Sequence, residues 1–140
     1  MFVDTNVFMY AVGRPHPLKP VARRFFMEAH RDRVALCVSA EVFQELAHAY
    51  LPRGRREAFD AALDLASRVG AEVWPLEEAD IVLARRLHDE HPALQARDLC
   101  HLASCRRRGV RDIATFDRGL AAAAGSAPIP VSGGPRLEPS

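Results

Sequence analysis

Apolar and polar residues follow one another in short blocks along this chain, and the spacing within each block names its element. Met1-Phe2-Val3 is an unbroken apolar run that stops at Asp4, the pattern of a strand buried on both faces. Pro15, Pro17 and Pro20 mark a loop, after which Ala22, Phe25, Phe26 and Ala29 recur at helical spacing and predict a helix from about Val21 to Asp32. Val34 to Val38 reads as a second strand, and Ser39 as the N-cap of a helix running to about Tyr50, where Pro52 and Gly54 interrupt. A helix from Glu57 to Arg68 carries Phe59, Ala62, Leu63 and Ala66 on one face and stops at Gly70. The strand Glu72 to Trp74 ends at Pro75, and Ala79, Val82, Leu83 and Leu87 make another helix before Pro92. Asp98 opens a helix through Arg108 that Gly109 closes; the strand Asp112 to Thr115, a short helix Gly119 to Ala124 and a last strand around Ile129 to Val131 follow. The polar, Pro- and Gly-rich stretch 133–140 is expected to be a disordered tail after a domain of residues 1–132.

Strands alternating with helices predict a single α/β domain, a doubly wound and mostly parallel sheet with helices on both faces. A length of 140 residues suits one such core. In open sheets of this kind the strand carboxyl ends face the binding crevice, which gives four acids a shared destination. Asp4 and Asp117 fall at strand ends, while Glu45 and Asp98 lie on helices that follow strands or enter the same edge. Each also has an ordinary structural use. Asp4 before Thr5-Asn6 could start a turn. Asp98 and Asp117 each sit where a helix favours an acidic cap or first-turn charge. Glu45 could be an exposed helix residue, although at about 100° per residue it lies closer than Glu41 to the stripe of Val42, Phe43, Leu46 and Ala49. Glu41 reads better as a first-turn acid that complements the helix dipole.

Composition narrows the setting. Net charge is +1 and three cysteines, Cys37, Cys100 and Cys105, sit in apolar surroundings without zinc spacing, so reduced thiols in a cytoplasmic protein are expected. No export signal and no membrane span are legible. A near-neutral chain cannot hold an anionic partner by its global field and must meet it locally. Arg53, Arg55 and Arg56 in a loop, and Arg106, Arg107 and Arg108 at a helix end, could supply phosphate contacts. Basic residues in a helix's last turn complement the dipole in any case. His101, three residues after Asp98, reads as a packing or surface residue rather than a base.

Val3-Asp4-Thr5-Asn6-Val7, Ser39 through Glu45-Leu46, Ala96-Arg97-Asp98 leading to Ala103 and Gly109, and Ala114-Thr115-Phe116-Asp117 together resemble the PIN-domain ribonucleases, and more narrowly the VapC toxins of bacterial type II toxin–antitoxin pairs. The resemblance spans the chain up to the tail. It implies a PIN fold, a magnesium- or manganese-dependent endoribonuclease acting on RNA, a cognate antitoxin that blocks the site, and a homodimer. By matching position Asp4, Glu45, Asp98 and Asp117 would form the acidic quartet, with Asn6 and Thr115 as supporting polar residues. The chain departs from the pattern at Arg118-Gly119, where a second acid or an aromatic often follows.

The chemistry of such a quartet is readable from charge alone. Carboxylates within about 4 Å of one another repel by roughly 4 kcal/mol per pair at an effective dielectric of 20, so their cluster calls for a dication. Hard oxygen donors without a Cys/His set favour Mg²⁺ or Mn²⁺. Asp4 and Asp98 are expected to ligate most directly, Asp117 directly or through water, and Glu45 to orient or deprotonate a nucleophilic water. Two alternatives stand beside this: a non-catalytic PIN-like binding module, and a metal-dependent phosphatase of another α/β family. A haloacid-dehalogenase-like phosphatase would want Asp-x-Asp where the chain has Asp4-Thr5-Asn6, and a receiver domain would want an acid pair and a late lysine, whereas the only lysine is Lys19.

Overall fold

Phe2 and Val3 are wholly buried because they form the inner strand of a parallel sheet, which has covered faces and therefore no polar alternation. The computed structural model describes residues 1–131. Within them the sheet comprises β1 (Phe2–Val3), β2 (Cys37–Ser39), β3 (Glu72–Trp74) and β4 (Ile113–Ala114), in the order β3-β2-β1-β4 with every neighbouring pair parallel. Register is set by Phe2 opposite Cys37 on one side and Ile113 on the other. The connections carry α1 (Thr5–Val12) and α2 (Lys19–Arg31), then α3 (Ala40–Tyr50) and α4 (Arg56–Arg68), then α5 (Glu78–Glu90) and α6 (Ala96–Arg107), and α7 (Arg118–Ala123) follows β4. The first two connections step the sheet one way; the third returns past β2 and β1. With right-handed crossovers, that reversal puts the first four helices and the α5–α6 pair on opposite faces and opens a crevice between the ends of β1 and β4.

The doubly wound α/β expectation holds, with corrections at individual elements. Helix α1 is absent from the sequence reading, because Val7 through Val12 is almost continuously apolar and displays no polar face. Its Val7, Phe8 and Ala11 are buried, and Phe8 stacks on Phe26 of α2 at 4.9 Å between ring centroids. The second strand begins at Cys37 rather than Val34: Val34 is 39% exposed, and its amide returns to Ala29 O, closing α2. The strand expected at Ile129 to Val131 does not form. Pro128 and Pro130 remove the flanking amide donors, leaving the single bond from Ile129 N to Thr115 O at 2.8 Å. Ser39 occupies the N-cap position of α3, but its side chain makes no capping bond. Helix α6 opens at Ala96, two residues before Asp98. All three cysteines are free and buried. Residues 132–140, with the tail expected there, lie outside the described residues.

Phe26 of α2 and Leu87 of α5 are buried, and their neighbours Phe25 and Leu83 pack partly against the core. The exposed apolar side chains are others, among them Val73 on β3, Leu76 in the following turn, and Ile81 and Val82 on α5. No described helix is long and apolar enough to cross a membrane.

Candidate active site

Strand β1 runs straight into α1, and Asp4 is the hinge between them. Its backbone is extended and its Oδ1 accepts the Thr5 amide at 2.8 Å, so Asp4 starts no simple turn but serves as the N-cap of α1. The capping contact takes only part of the carboxylate. Thr115, just past β4, donates its hydroxyl to Asp4 Oδ2 at 2.7 Å and accepts the Asp117 amide at 2.9 Å. Asn6 joins the same seam, with Nδ2 3.4 Å from Thr115 Oγ1 and Oδ1 accepting the Phe116 amide at 3.3 Å. The two strand ends are thus stitched together under Asp4, which is buried.

Glu45 enters from α3. Its Oε1 accepts the Thr5 hydroxyl at 2.8 Å and lies 2.7 Å from His101 Nε2, while Oε2 lies 3.2 Å from Arg97 Nε. Burial raises the Glu45 carboxyl, but the hydrogen bond and charge of His101, then Thr5 and Arg97, outweigh it and hold the group below its ordinary value. His101 is wholly buried, with Nε2 also 3.6 Å from Asp4 Oδ1. Burial disfavours its cation, yet Glu45, Asp4 and Asp98 together raise it. Its Nδ1 has no hydrogen-bond partner among the described residues, which opposes full protonation; two carboxylates this close to Nε2 are the stronger influence. The packing-or-surface reading of His101 therefore needs correction: it is buried inside the acidic site. Its position one turn beyond Asp98 was the available signal. Thr5, Arg97 and the half-buried Glu41 also belong to the site, and Glu41 lines the crevice as well as serving the first turn of α3.

Asp4, Glu45, Asp98 and Asp117 all line one crevice of about 710 Å³. Burial first, and then the charge of Asp4, Asp117 and Glu45, push the Asp98 carboxyl up to about 6. Asp4 is likewise raised by burial, only partly offset by His101, Thr115 and Thr5. Asp117 caps α7 through Oδ1, which accepts the Leu120 amide at 3.0 Å. Donor atoms of Asp4, Asp98 and His101 lie within 4.8 Å of one another, and the neighbouring carboxylates of Asp4, Asp117 and Glu45 add like-charge repulsion at Asp98 that a cation would relieve. These residues fit a divalent cation. His101 is the weakest donor of the three, because its Nε2 is engaged by Glu45, and the remaining set is hard oxygen.

The two arginine clusters separate. Arg53 lines the acidic crevice, its guanidinium held by Ala49 O at 2.7 Å. Arg55 lies over the Tyr50 ring at 5.5 Å and lines a neighbouring groove, and Arg56 is exposed on the first turn of α4. Arg107 and Arg108 are both paired with Glu77 and Asp80, about 15 Å of helix axis beyond Asp98, so this cluster does not reach the crevice.

The chain matches the PIN domain family model over residues 1–126. It is 57% identical over 125 residues to Ribonuclease VapC23 of Mycobacterium tuberculosis, covering 88% of this chain and 97% of that protein. Ribonuclease VapC13 of the same species is 38% identical over 120 residues, covering 86% of this chain and 92% of its own. Among solved structures, Mycobacterium tuberculosis VapC20, described as a sarcin-ricin loop cleaving toxin, superposes with a TM-score of 0.72 at 18% identity, covering 99% of this chain and 98% of that one. VapBC2 from Rickettsia felis, bound to a DNA fragment from its promoter, gives 0.69 at 14% identity over 91% of this chain and 95% of that one; at such identities these two speak for the fold. A family match that runs from the first residue through α7, joined by a relative sharing more than half of the aligned residues, makes this chain a member of the PIN-domain family.

Proposed function

We propose that this chain is an endoribonuclease dependent on Mg²⁺ or Mn²⁺ and the toxin of a toxin–antitoxin pair. The observation that carries the reading is the convergence of Asp4, Glu45, Asp98 and Asp117 on one crevice at the switch point of the sheet. The ribonuclease names of its relatives supply the substrate class.

Asp4 and Asp98 would hold the cation, with Asp117 at the rim. When bound, a divalent cation supplies Lewis acidity toward a phosphodiester oxygen and toward an attacking water. Thr5 and Thr115 fix the Asp4 carboxylate from two sides. Glu45, kept ionised by three donors, is suited to orient the water rather than to take its proton, since a depressed carboxyl is a weak base. Asn6 and Thr115 are positioning residues, because they tie the β1 and β4 ends together. Attack by water needs no ribose 2′-hydroxyl, so the products would carry a 5′-phosphate and a 3′-hydroxyl.

The same carboxylates suit inhibition by a cognate antitoxin whose arginine or lysine enters the crevice and pairs with them. A homodimer, supported by the exposed Ile81 and Val82, would present two such crevices. Incubation of purified protein with total RNA, with EDTA or with added Mg²⁺ or Mn²⁺, tests the catalytic reading. Cleavage is expected only with metal; undiminished cleavage in EDTA overturns metal dependence, and binding without cleavage under every condition makes the chain a non-catalytic binding module.

A further inference from the structure

A second, smaller groove of about 340 Å³ adjoins the acidic crevice, sharing Asn6 and Met9 with it and lined further by Tyr10, Arg14, His16 and Arg55. We propose that this groove is a subsite for one unpaired nucleotide of the RNA, next to the bond that is cut: its base stacks on the His16–Tyr10 pair and its phosphate meets Arg14 and Arg55. The inference rests on the ribonuclease reading above and extends the phosphate contact expected of Arg55 to the whole groove that it lines.

Charge is the first reason. The crevice is lined by five acids, Asp4, Glu41, Glu45, Asp98 and Asp117, whereas no acid lines the groove. Arg14 and Arg55 make no ion pair among the described residues, unlike Arg107 and Arg108. A substrate strand leaving the acidic centre would therefore meet unneutralised guanidinium groups at once, and guanidinium is suited to phosphate.

Rigidity is the second. His16 stacks on Tyr10 with ring centroids 4.7 Å apart and planes at 40°, and Tyr10 meets Phe116 edge-on at 5.5 Å. The outermost ring, His16, is exposed, yet its orientation is set by the Leu18 amide, which donates to Nδ1 at 3.0 Å. The loop carrying Arg14 and His16 is tied down at both ends: the Lys19 ammonium donates to Gly13 O at 2.6 Å, and the Lys19 amide to His16 O at 2.9 Å. Gly13 permits this closure, because a Cβ there would lie 2.6 Å from Met9 O. An aromatic ring held at the open end of a stack, beside free arginines, is the arrangement that single-stranded nucleic acids use, with bases on rings and backbone on cations.

The test uses the full chain in an Asp98→Asn background with Mg²⁺, so that binding is read without cleavage. Affinity for a fluorescein-labelled single-stranded RNA is measured by anisotropy across a salt series. Arg14→Ala/Arg55→Ala is expected to weaken binding about tenfold or more and to reduce the slope of log affinity against log salt by about 1.4, roughly 0.7 for each lost phosphate contact. His16→Ala is expected to weaken binding about fivefold with the slope unchanged. Arg24→Ala, which removes an exposed charge on α2 outside the groove, should bind like the parent. Photo-crosslinks from a 4-thiouridine-bearing RNA should fall on Tyr10 or His16. Groove variants that bind like the parent, an Arg24→Ala loss as large as theirs, or crosslinks confined to other surfaces each overturn the subsite. If the groove variants match their parent while the wild-type protein cleaves RNA, only the subsite falls; if the parent binds no RNA and the wild type cleaves none, the ribonuclease reading falls with it.

Discussion

Asp98 shares the electrostatic cost of the site with Asp4. Its carboxyl, ordinarily at 3.8, stands at about 6 in the folded protein. Between those values the folded chain keeps a proton that the unfolded chain has released, so stability is lost as pH rises from about 4 through 6. His101 acts in the same direction: with its folded value raised, its contribution is present below the ordinary histidine range and fades as pH rises through the folded value. Urea unfolding in EDTA should therefore show the wild type less stable at pH 7.5 than at pH 5. The Asp98 share of that difference is about 1 kcal/mol after allowance for solvent screening. Asp98→Asn should lack that share, melt no lower than wild type at pH 7.5, and lose cleavage by at least about 100-fold. Asp4→Asn should lose cleavage as well. Wild-type turnover in Asp98→Asn would return this residue to its role as a first-turn charge on α6.

Elements explain why six arginines that look alike in sequence behave differently. Helix α5 begins with a reciprocal capping box between Glu77 and Asp80, and Asp80 is wholly buried there. Arg107 and Arg108 of α6 reach across to it at 2.8 and 3.1 Å, and the Arg108 guanidinium also lies 4.9 Å from the Trp74 ring centre. This clamp joins the two helices that return the chain to β4, and so holds Asp98 at the other end of α6. Burial raises the Asp80 carboxyl, but the Glu77 amide and the two arginines outweigh it and hold it below its ordinary value. Its contribution is therefore complete at neutral pH and is lost as pH falls through that lowered value. Asp80→Ala leaves Arg107 and Arg108 with Glu77 as their remaining acidic partner and removes the Asp80 half of the α5 capping box. It is expected to cost about 2–3 kcal/mol in urea unfolding at pH 7; a loss under about 0.5 kcal/mol would mean that the clamp adds little beyond packing. The arginines and the helix dipole are legible in the sequence but the clamp is not, since Asp80 and Arg107 lie 27 residues apart.

At the scale of the whole molecule, β3 is an edge strand, and the exposed apolar residues Val73, Leu76, Ile81 and Val82 lie on it and on the segment that follows. Adjacent Ile81 and Val82 on α5 are about half exposed, at 47% and 50%, and a second copy of the chain would cover such a face. Light scattering at tens of micromolar should report a dimer, and Val82→Glu should shift it toward monomer while leaving the melting temperature of the subunit within a few degrees. A wild-type protein that is strictly monomeric at that concentration would count decisively against the assembly.

What the sequence determined by itself was local. Proline and glycine punctuation and helical spacing marked six of the seven α-helices among the described residues, and the residue type at each strand end marked Asp4 and Asp117, because those signals act within a few residues of where they are read. Helix α1 was illegible for the same reason: a continuous apolar stretch encodes no face until α2, α3 and α4 pack around it. Only the tertiary structure decided which polar groups meet. His101 finds Glu45 from 56 positions away and Thr115 finds Asp4 from 111, and it is the reversal of strand order between β1 and β4 that brings these pairs to one crevice.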